Sequence, residues 1–259
     1  MAQAVDPPTV AQPDLDEASG IAASRTHPGV LWAHDDSGGA PEVFAVGEDG
    51  ADRGRVTLDG VEARDWEDMA RGPGADGTGD VLYLADIGDN LAQRDDVTIY
   101  RVPEPDPGAG TVTGVEALVL TYPNGPRDAE ALVADPVTGD LFVLDKDLLG
   151  GPVNAYRVPA GTAPGGPTAM EPAGEVGVPA GEIVTGADIG PDGSLVAVRT
   201  YTAVYLWDRG PGQTVAQALA AEPCRAPSAL ERQGEAIAVH VDGRGYTTVS
   251  EGAHPAIHA

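Results

Sequence analysis

The chain has almost no cysteine or lysine, few aromatic rings and no long apolar run. Cys224 is the only cysteine among 259 residues. That excludes an internal disulfide, a CxxC redox centre and a cysteine-ligated metal, and it leaves the redox compartment open. Lys146 is the only lysine, so arginine supplies all but one of the 15 basic side chains. Three Trp, seven Tyr and two Phe leave little surface for stacking sugars. No stretch approaches the roughly 18 apolar residues that a membrane-spanning helix needs. The opening segment, Met1 to Pro8, lacks the basic and apolar regions of a signal peptide. It reads either as an intracellular start or as a mature secreted domain, which leaves localisation unassigned. No Gly-x-Ser-x-Gly elbow, His-Glu-x-x-His, phosphate loop or dinucleotide fingerprint occurs.

Helical periodicity is missing as well. The 35 Gly and 23 Pro punctuate the chain every few residues and leave no helix-length apolar stripe. An all-β chain of this length fits one domain, so we read residues 1–259 as a single unit.

What the chain has in excess is negative charge: 41 acidic against 15 basic residues, a net charge of −26. Such a surface repels nucleic acid and anionic membranes, and neither is expected as a partner. A small-molecule substrate or ligand is expected instead, bound by a monomer. Much of the acid serves solubility; carboxylates that recur at fixed positions are better placed to hold a hard cation.

Such a recurrence exists. Ile21, Met69, Leu132, Ile189 and Ile237 can be set in register, each followed by a small residue. Two places earlier stand Ser19, Glu67, Glu130, Ala187 and Glu235; in three copies, five places earlier, stand Arg64, Arg127 and Arg232. The spacings of 48, 63, 57 and 48 residues are those of propeller blades. A second strand follows in each repeat, ending in Asp35-Asp36, Asp86, Asp145-Lys146, Arg199 or Ser250-Glu251. Third strands fit near 43–46, 98–102, 154–158 and 204–207, and fourth strands at 54–58, 115–122, 175–178 and 214–218. The last repeat keeps only Ala256 to Ala259 after its second strand.

The expected fold is therefore a five-bladed β-propeller. Its blades span roughly 15–60, 61–123, 124–179, 180–223 and 229–259, and residues 8–12 supply the last blade's outer strand. An open sandwich or a truncated larger propeller is the alternative.

In a propeller, first-strand starts and second-strand ends meet on one face. That gathers scarce cations beside clustered acids. The bland reading of Arg64-Asp65, Arg127-Asp128 and Arg232 is blade-to-blade ion pairing, because an arginine fork meets a carboxylate two-handed. Departures from the repeat single out other groups. Glu67-Asp68 doubles the acid in one copy, Asp188 shifts it in another, and Lys146 and Arg199 stand where other repeats end in acid or serine.

The catalytic candidates are Glu67, Asp68, Glu130, Asp188, Glu235, Lys146 and Arg199. Crowded carboxyls have raised pKa values and act near neutrality, and cations stabilise developing negative charge. Glu67, Glu130 and Glu235 are candidate oxygen ligands for Ca²⁺, joined by Asp86 from the calcium-loop-like run Asp86-Ile87-Gly88-Asp89-Asn90. Asp35, Asp36, Arg94, Asp145, Trp66 and Glu251 are substrate-binding candidates. His34 and His254 are possible general bases.

The segments Arg64-Asp65-Trp66-Glu67-Asp68-Met69-Ala70 and Tyr83-Leu84-Ala85-Asp86-Ile87-Gly88-Asp89-Asn90 resemble those of a group of bacterial, mainly actinobacterial β-propeller proteins. That group is similar to the esterase-like phytase and gluconolactonase propellers. Asp128-Ala129-Glu130-Ala131-Leu132 and Gly234-Glu235-Ala236-Ile237-Ala238 are similar to its first strands. The resemblance, over residues 15–259, implies channel-bound Ca²⁺ held by Glu67, Glu130 and Glu235 and hydrolysis of phosphoesters or lactones. The chain departs from it in showing five repeats rather than six and no His/Asn ligand set. The leading expectation is a metal-assisted hydrolase of a small anionic ester, phosphoester or lactone. The alternatives are a non-catalytic ligand- or protein-binding propeller and, third, a glycoside hydrolase using channel carboxylates.

Overall fold

A computed structural model describes residues 6–231 and 233–259, so Arg232 lies outside the described residues. The first sheet runs β1 (Ala18–Ala23), β2 (Val30–Asp35), β3 (Glu42–Gly47) and β4 (Asp52–Leu58) in order. The second repeat supplies β5 (Trp66–Gly72), β6 (Val81–Asp86) and β7 (Val97–Pro103). Its chain then detours through β8 (Gly110–Val112), which pairs in parallel with β4, before β9 (Glu116–Thr121) completes the second sheet. The third repeat holds β10 (Ala129–Ala134), β11 (Leu141–Asp145) and β12 (Asn154–Val158), then β13 (Thr168–Ala169) and β14 (Glu171–Glu175). Again the short extra strand, β13, pairs in parallel with the preceding sheet's edge at β9. The fourth repeat comprises β15 (Val184–Ile189), β16 (Leu195–Thr200), β17 (Val204–Asp208), the helix α1 (Val215–Leu219) and β18 (Cys224–Ala226). β19 (Gly234–Val239) and β20 (Tyr246–Ser250) form the last, two-stranded sheet.

The fold is all-β, a propeller arrangement of small sheets with one short helix. Four blades are complete rather than the expected five. In the fifth repeat, the expected third strand makes one bridge, Thr248 to His258, and residues 8–12 make another, Thr9 to Ala256. Val10 N–H donates to Pro255 O (2.9 Å) and Ile257 N–H to Pro8 O (2.8 Å). Pro8 and Pro255 cannot donate, which limits this edge to single bridges.

Two fourth strands also fall elsewhere than expected. In the third repeat the strand is Glu171–Glu175, earlier than residues 175–178. In the fourth, residues 214–218 enter a helix, because Thr214 and Gln217 form a capping box. Gln217 N–H donates to Thr214 Oγ1 (3.1 Å) and Thr214 N–H to Gln217 Oε1 (3.0 Å).

Apolar seams join neighbouring sheets. Trp32, Val43, Met69 and Leu84 pack between the first and second sheets, and Ile99, Leu132 and Val143 between the second and third. Val10 and Ile257 enter the seam between last and first, beside Leu15, Ile21 and Phe44. Each such fully buried side chain contributes roughly 1.5–3 kcal/mol relative to exposure.

The first strands pack against one another around the hub: β1 lies beside β5 and β19, β10 beside β5 and β15, and β15 beside β19. Buried carboxylates tie the hub together. Asp68 accepts from Met69 N–H (2.8 Å), Leu132 N–H (2.8 Å) and Ala187 N–H (3.0 Å), spanning three first strands. Asp188 accepts from Ile189 N–H (2.8 Å) and Val239 N–H (2.7 Å).

Candidate functional site

Every first strand carries a β-bulge at the start of its pairing with the second strand. The shifts fall at Ser19, Glu67, Glu130, Thr185 and Glu235. A bulge leaves one residue outside the ladder and re-aims its side chain. The fourth repeat sits two residues away from the register read in the sequence. Ala187 pairs with Val198 where Met69 pairs with Leu84, so Thr185 and not Ala187 occupies the glutamate slot. Ile189 belongs one pleat further on. Since all five strands share the bulge, the offset comes from Ala187: a small residue fills the position that Ile21, Met69, Leu132 and Ile237 hold elsewhere, and Ile189 on the same face mimics it.

The five slots divide by chemistry. Ser19 Oγ donates to Glu67 O (2.6 Å) and Thr185 Oγ1 to Gly234 O (2.7 Å), each stitching one first strand to the next. The other three present carboxylates. Side-chain oxygens of Asp36, Asp65 and Glu67 lie within 4.8 Å of one another, as do those of Glu67, Asp128 and Glu130. Glu67 belongs to both groups. Lys146 binds Glu130, and its ammonium stands 5.8 Å from the centre of the Tyr201 ring. Asp65 and Asp128, read from sequence as scaffold, thus join the site, and Asp36 moves from substrate candidate into the carboxylate cluster. Tyr201 was missed, since a single tyrosine after Thr200 carries no repeat signal.

The electrostatics follow from crowding. Burial, then Glu130 beside it, raises the Glu67 carboxyl well above the ordinary range. Burial lifts Glu130 to about 7 although Lys146 opposes it. Burial and then Asp65 raise Asp36 to about 7; burial and then Glu130 raise Glu235 to about 8. Burial alone would lower Lys146, but Glu130 outweighs it and holds the ammonium above its usual pKa. Asp36 Oδ1 is buried without a hydrogen-bond partner among the described residues. The Glu67 carboxyl faces that of Glu130 in a carboxyl–carboxylate contact, while Gly88 presses against it. A Cβ at Gly88 would fall 2.0 Å from Glu67 Oε1 and 2.5 Å from Asp65 Oδ2.

Other candidates are held in different work. Asp86 takes Arg94 Nη1 (2.7 Å), and the same nitrogen reaches Gly88 O (2.8 Å). Asp145 accepts from Asn154 N–H (2.6 Å), Asn154 Nδ2 (2.8 Å) and Tyr156 OH (3.3 Å). Asp35 accepts from Glu17 N–H (3.1 Å), and burial raises it to about 6. Glu251 accepts from Gln233 Nε2 (2.5 Å). Arg199 is buried against Glu231, with Nε and Nη1 unpartnered among the described residues. Asp68 and Asp188 lie in the hub, held by backbone N–H groups.

Trp66 is buried, with its ring centre 5.4 Å from that of His34 in an edge-on arrangement. His34 is no surface base: it is fully buried, Nδ1 donates to Asp35 O (2.9 Å), and burial lowers it to about 4. His254 Nδ1 meets Val10 O (2.8 Å) and fastens the N-terminal segment instead. The ion pairs expected of Arg64 and Arg127 do not form among the described residues, and Arg64 is exposed.

No family model matches this chain, and no curated protein matches it either.

Proposed function

We propose that the mouth holds a hard divalent cation, calcium by its donor set, and serves a hydrolase acting on a small anionic ester, phosphoester or lactone. One observation carries the reading: Glu67 is buried among four carboxylates, Asp36, Asp65, Asp128 and Glu130, with Lys146 the one ammonium bound there. Five carboxylates with one bound ammonium, and Arg94 acting on Asp65 from the side, favour the uptake of protons or a metal. All-oxygen donors, one with an orphaned buried oxygen at Asp36, fit a hard cation that accepts six to eight such ligands.

Asp36, Asp65, Glu67, Asp128 and Glu130 would hold the ion. When bound, such a cation polarises a carbonyl or phosphoryl oxygen and acidifies water. Lys146, protonated at neutral pH, stabilises negative charge developing beside Glu130. Glu235, kept neutral by burial, holds a proton available to a leaving oxygen.

A second reading, a non-catalytic binding propeller, draws support from Asp68, Asp86, Asp145 and Asp188, whose oxygens are engaged by the protein itself. We also read the ring as five-bladed, residues 8–12 and 256–259 completing the last blade; the bonds at Val10 and Ile257 support this. The segments Arg64–Ala70 and Tyr83–Asn90, at β5 and β6, support kinship with the phytase and gluconolactonase propellers, which we likewise propose.

The test is turnover of a panel of aryl esters, phosphoesters and lactones with calcium, with EDTA, and in Glu67→Gln. Calcium-dependent hydrolysis that EDTA and Glu67→Gln each reduce at least about a hundredfold is expected. A folded protein that binds calcium but turns nothing over would leave the binding-module reading.

A further inference from the structure

Six large apolar side chains are exposed among the described residues, and their placement is uneven. Val137 and Val241 lie in turns between first and second strands, on the face away from the bulges. The other four are leucines on the mouth face: Leu91 (75 % exposed), Leu148 (56 %), Leu149 (96 %) and Leu230 (105 %). They come from three connections. Leu91 follows Gly88 in the β6–β7 loop, Leu148 and Leu149 follow Lys146 in the β11–β12 loop, and Leu230 precedes Glu231 on the way into β19. A chain with a net charge of −26 has no lack of polar residues for loop tips. Four of the six thus stand in three separate loops on the face that carries the site.

One of these leucines belongs to a pocket. Leu91 lines an open cavity of about 480 Å³ with Arg64, Asp65, Gly88, Asn90 and Gln93. That volume suits a small organic molecule. The cavity runs into the carboxylate cluster, because Asp65 belongs to both and Gly88 backs onto Glu67. Arg64 makes no ion pair, and the Asn90 and Gln93 side chains make no hydrogen bond among the described residues. A free guanidinium beside a leucine, next to the candidate reacting centre, offers an anionic group and an apolar group separate seats.

We propose that the molecule bound here is amphiphilic: its anionic head meets Arg64, and an alkyl or acyl chain lies over Leu91 toward the rim leucines. The inference rests on the hydrolase reading only for the fate of the bond, not for binding.

Calorimetric titration of the calcium-supplemented protein with methyl, butyl and octyl phosphate, below their micelle concentrations, tests it. Octyl phosphate should bind at least about tenfold tighter than methyl phosphate, since each methylene removed from water adds to affinity. The triple variant Leu91→Ser, Leu149→Ser, Leu230→Ser should lose that gain and keep its methyl phosphate affinity. Arg64→Gln should weaken all three ligands by about the same factor, roughly fivefold or more. These leucines are solvent-exposed, so a melting curve verifies that the variant is folded.

Affinity independent of chain length, or a gain that survives the triple substitution, would overturn the proposal. So would leucine-dependent sedimentation with phosphatidylcholine vesicles in the absence of any chain-length effect, which would make the rim a membrane contact. If chain-length-dependent binding appears but no ester is turned over, the hydrolase reading fails and this inference stands.

Discussion

A methyl group on residue 88 would sit within bonding distance of the Glu67 carboxylate and collide with Asp65 as well, with Asp65 O also bonded to the Gly88 N–H at 3.2 Å. Gly88→Ala must therefore push the β6–β7 loop off the cluster. A loss of stability of about 1–3 kcal/mol is expected, the usual range for overpacking. Calcium affinity should fall with it by at least about tenfold, since Glu67 and Asp65 can no longer converge. Denaturant melts and calcium titration of the variant check both. An unchanged affinity would mean that these carboxylates do not act together. At this scale the sequence was a partial guide. Glu67, Glu130 and Lys146 stood out through repetition and rarity, whereas Asp65 and Asp128 looked like scaffold because they repeat. Side chains that recur in each blade gather at the hub for any purpose, so repetition alone does not separate ligand from strut.

Elements were legible where turn chemistry is local. Asp-Gly and Pro-Asp-Gly turns mark the first hairpins, and every first and second strand exists where alternation places it, the fourth first strand being offset by two residues in register. The errors share a cause: a competing local motif. The Thr214–Gln217 capping box turned an expected strand into α1, and in the fourth repeat the small Ala187 holds the register position, so that alternation points to the bulkier Ile189 two residues on. The two-stranded last sheet depends on contacts from the far end of the chain, which no local pattern displays. Val10 is buried in the seam between last and first sheets, and its carbonyl receives His254 Nδ1. Deleting residues 1–12 should uncover that seam and expose the edge formed by residues 256–259. A lower melting temperature and faster amide exchange confined to β19, β20 and β1 are expected by hydrogen-exchange mass spectrometry. Uniform protection, equal to that of the intact chain, would remove the proposed five-bladed closure.

For the whole molecule, the raised carboxyls make stability depend on pH in an unusual direction. Asp36 and Glu130 near 7 and Glu235 near 8 keep protons in the folded state that the unfolded chain releases between about pH 4 and 5. Above that range the folded form binds more protons than the unfolded form, so stability falls as pH rises toward 8. The lowered carboxyls of Asp49, Asp76 and Asp192 act only below about pH 4, whereas buried His34, lowered to about 4, opposes the trend up to about pH 6.5, one group against three. The metal-free protein should melt progressively lower from pH 5 to pH 8. Calcium should flatten that slope, because an ion replaces the protons; a slope that calcium leaves unchanged would assign these groups a purely structural role.

The most direct measurement is calorimetric titration of Ca²⁺ into the EDTA-stripped protein at neutral pH, in two buffers of different ionisation enthalpy. We predict saturable binding of one ion with proton release, a melting temperature that climbs with calcium concentration, and loss of all three in Glu67→Gln. A folded protein that shows no calcium heat and no shift in melting, or a Glu67→Gln variant that binds as the wild type does, would contradict the account.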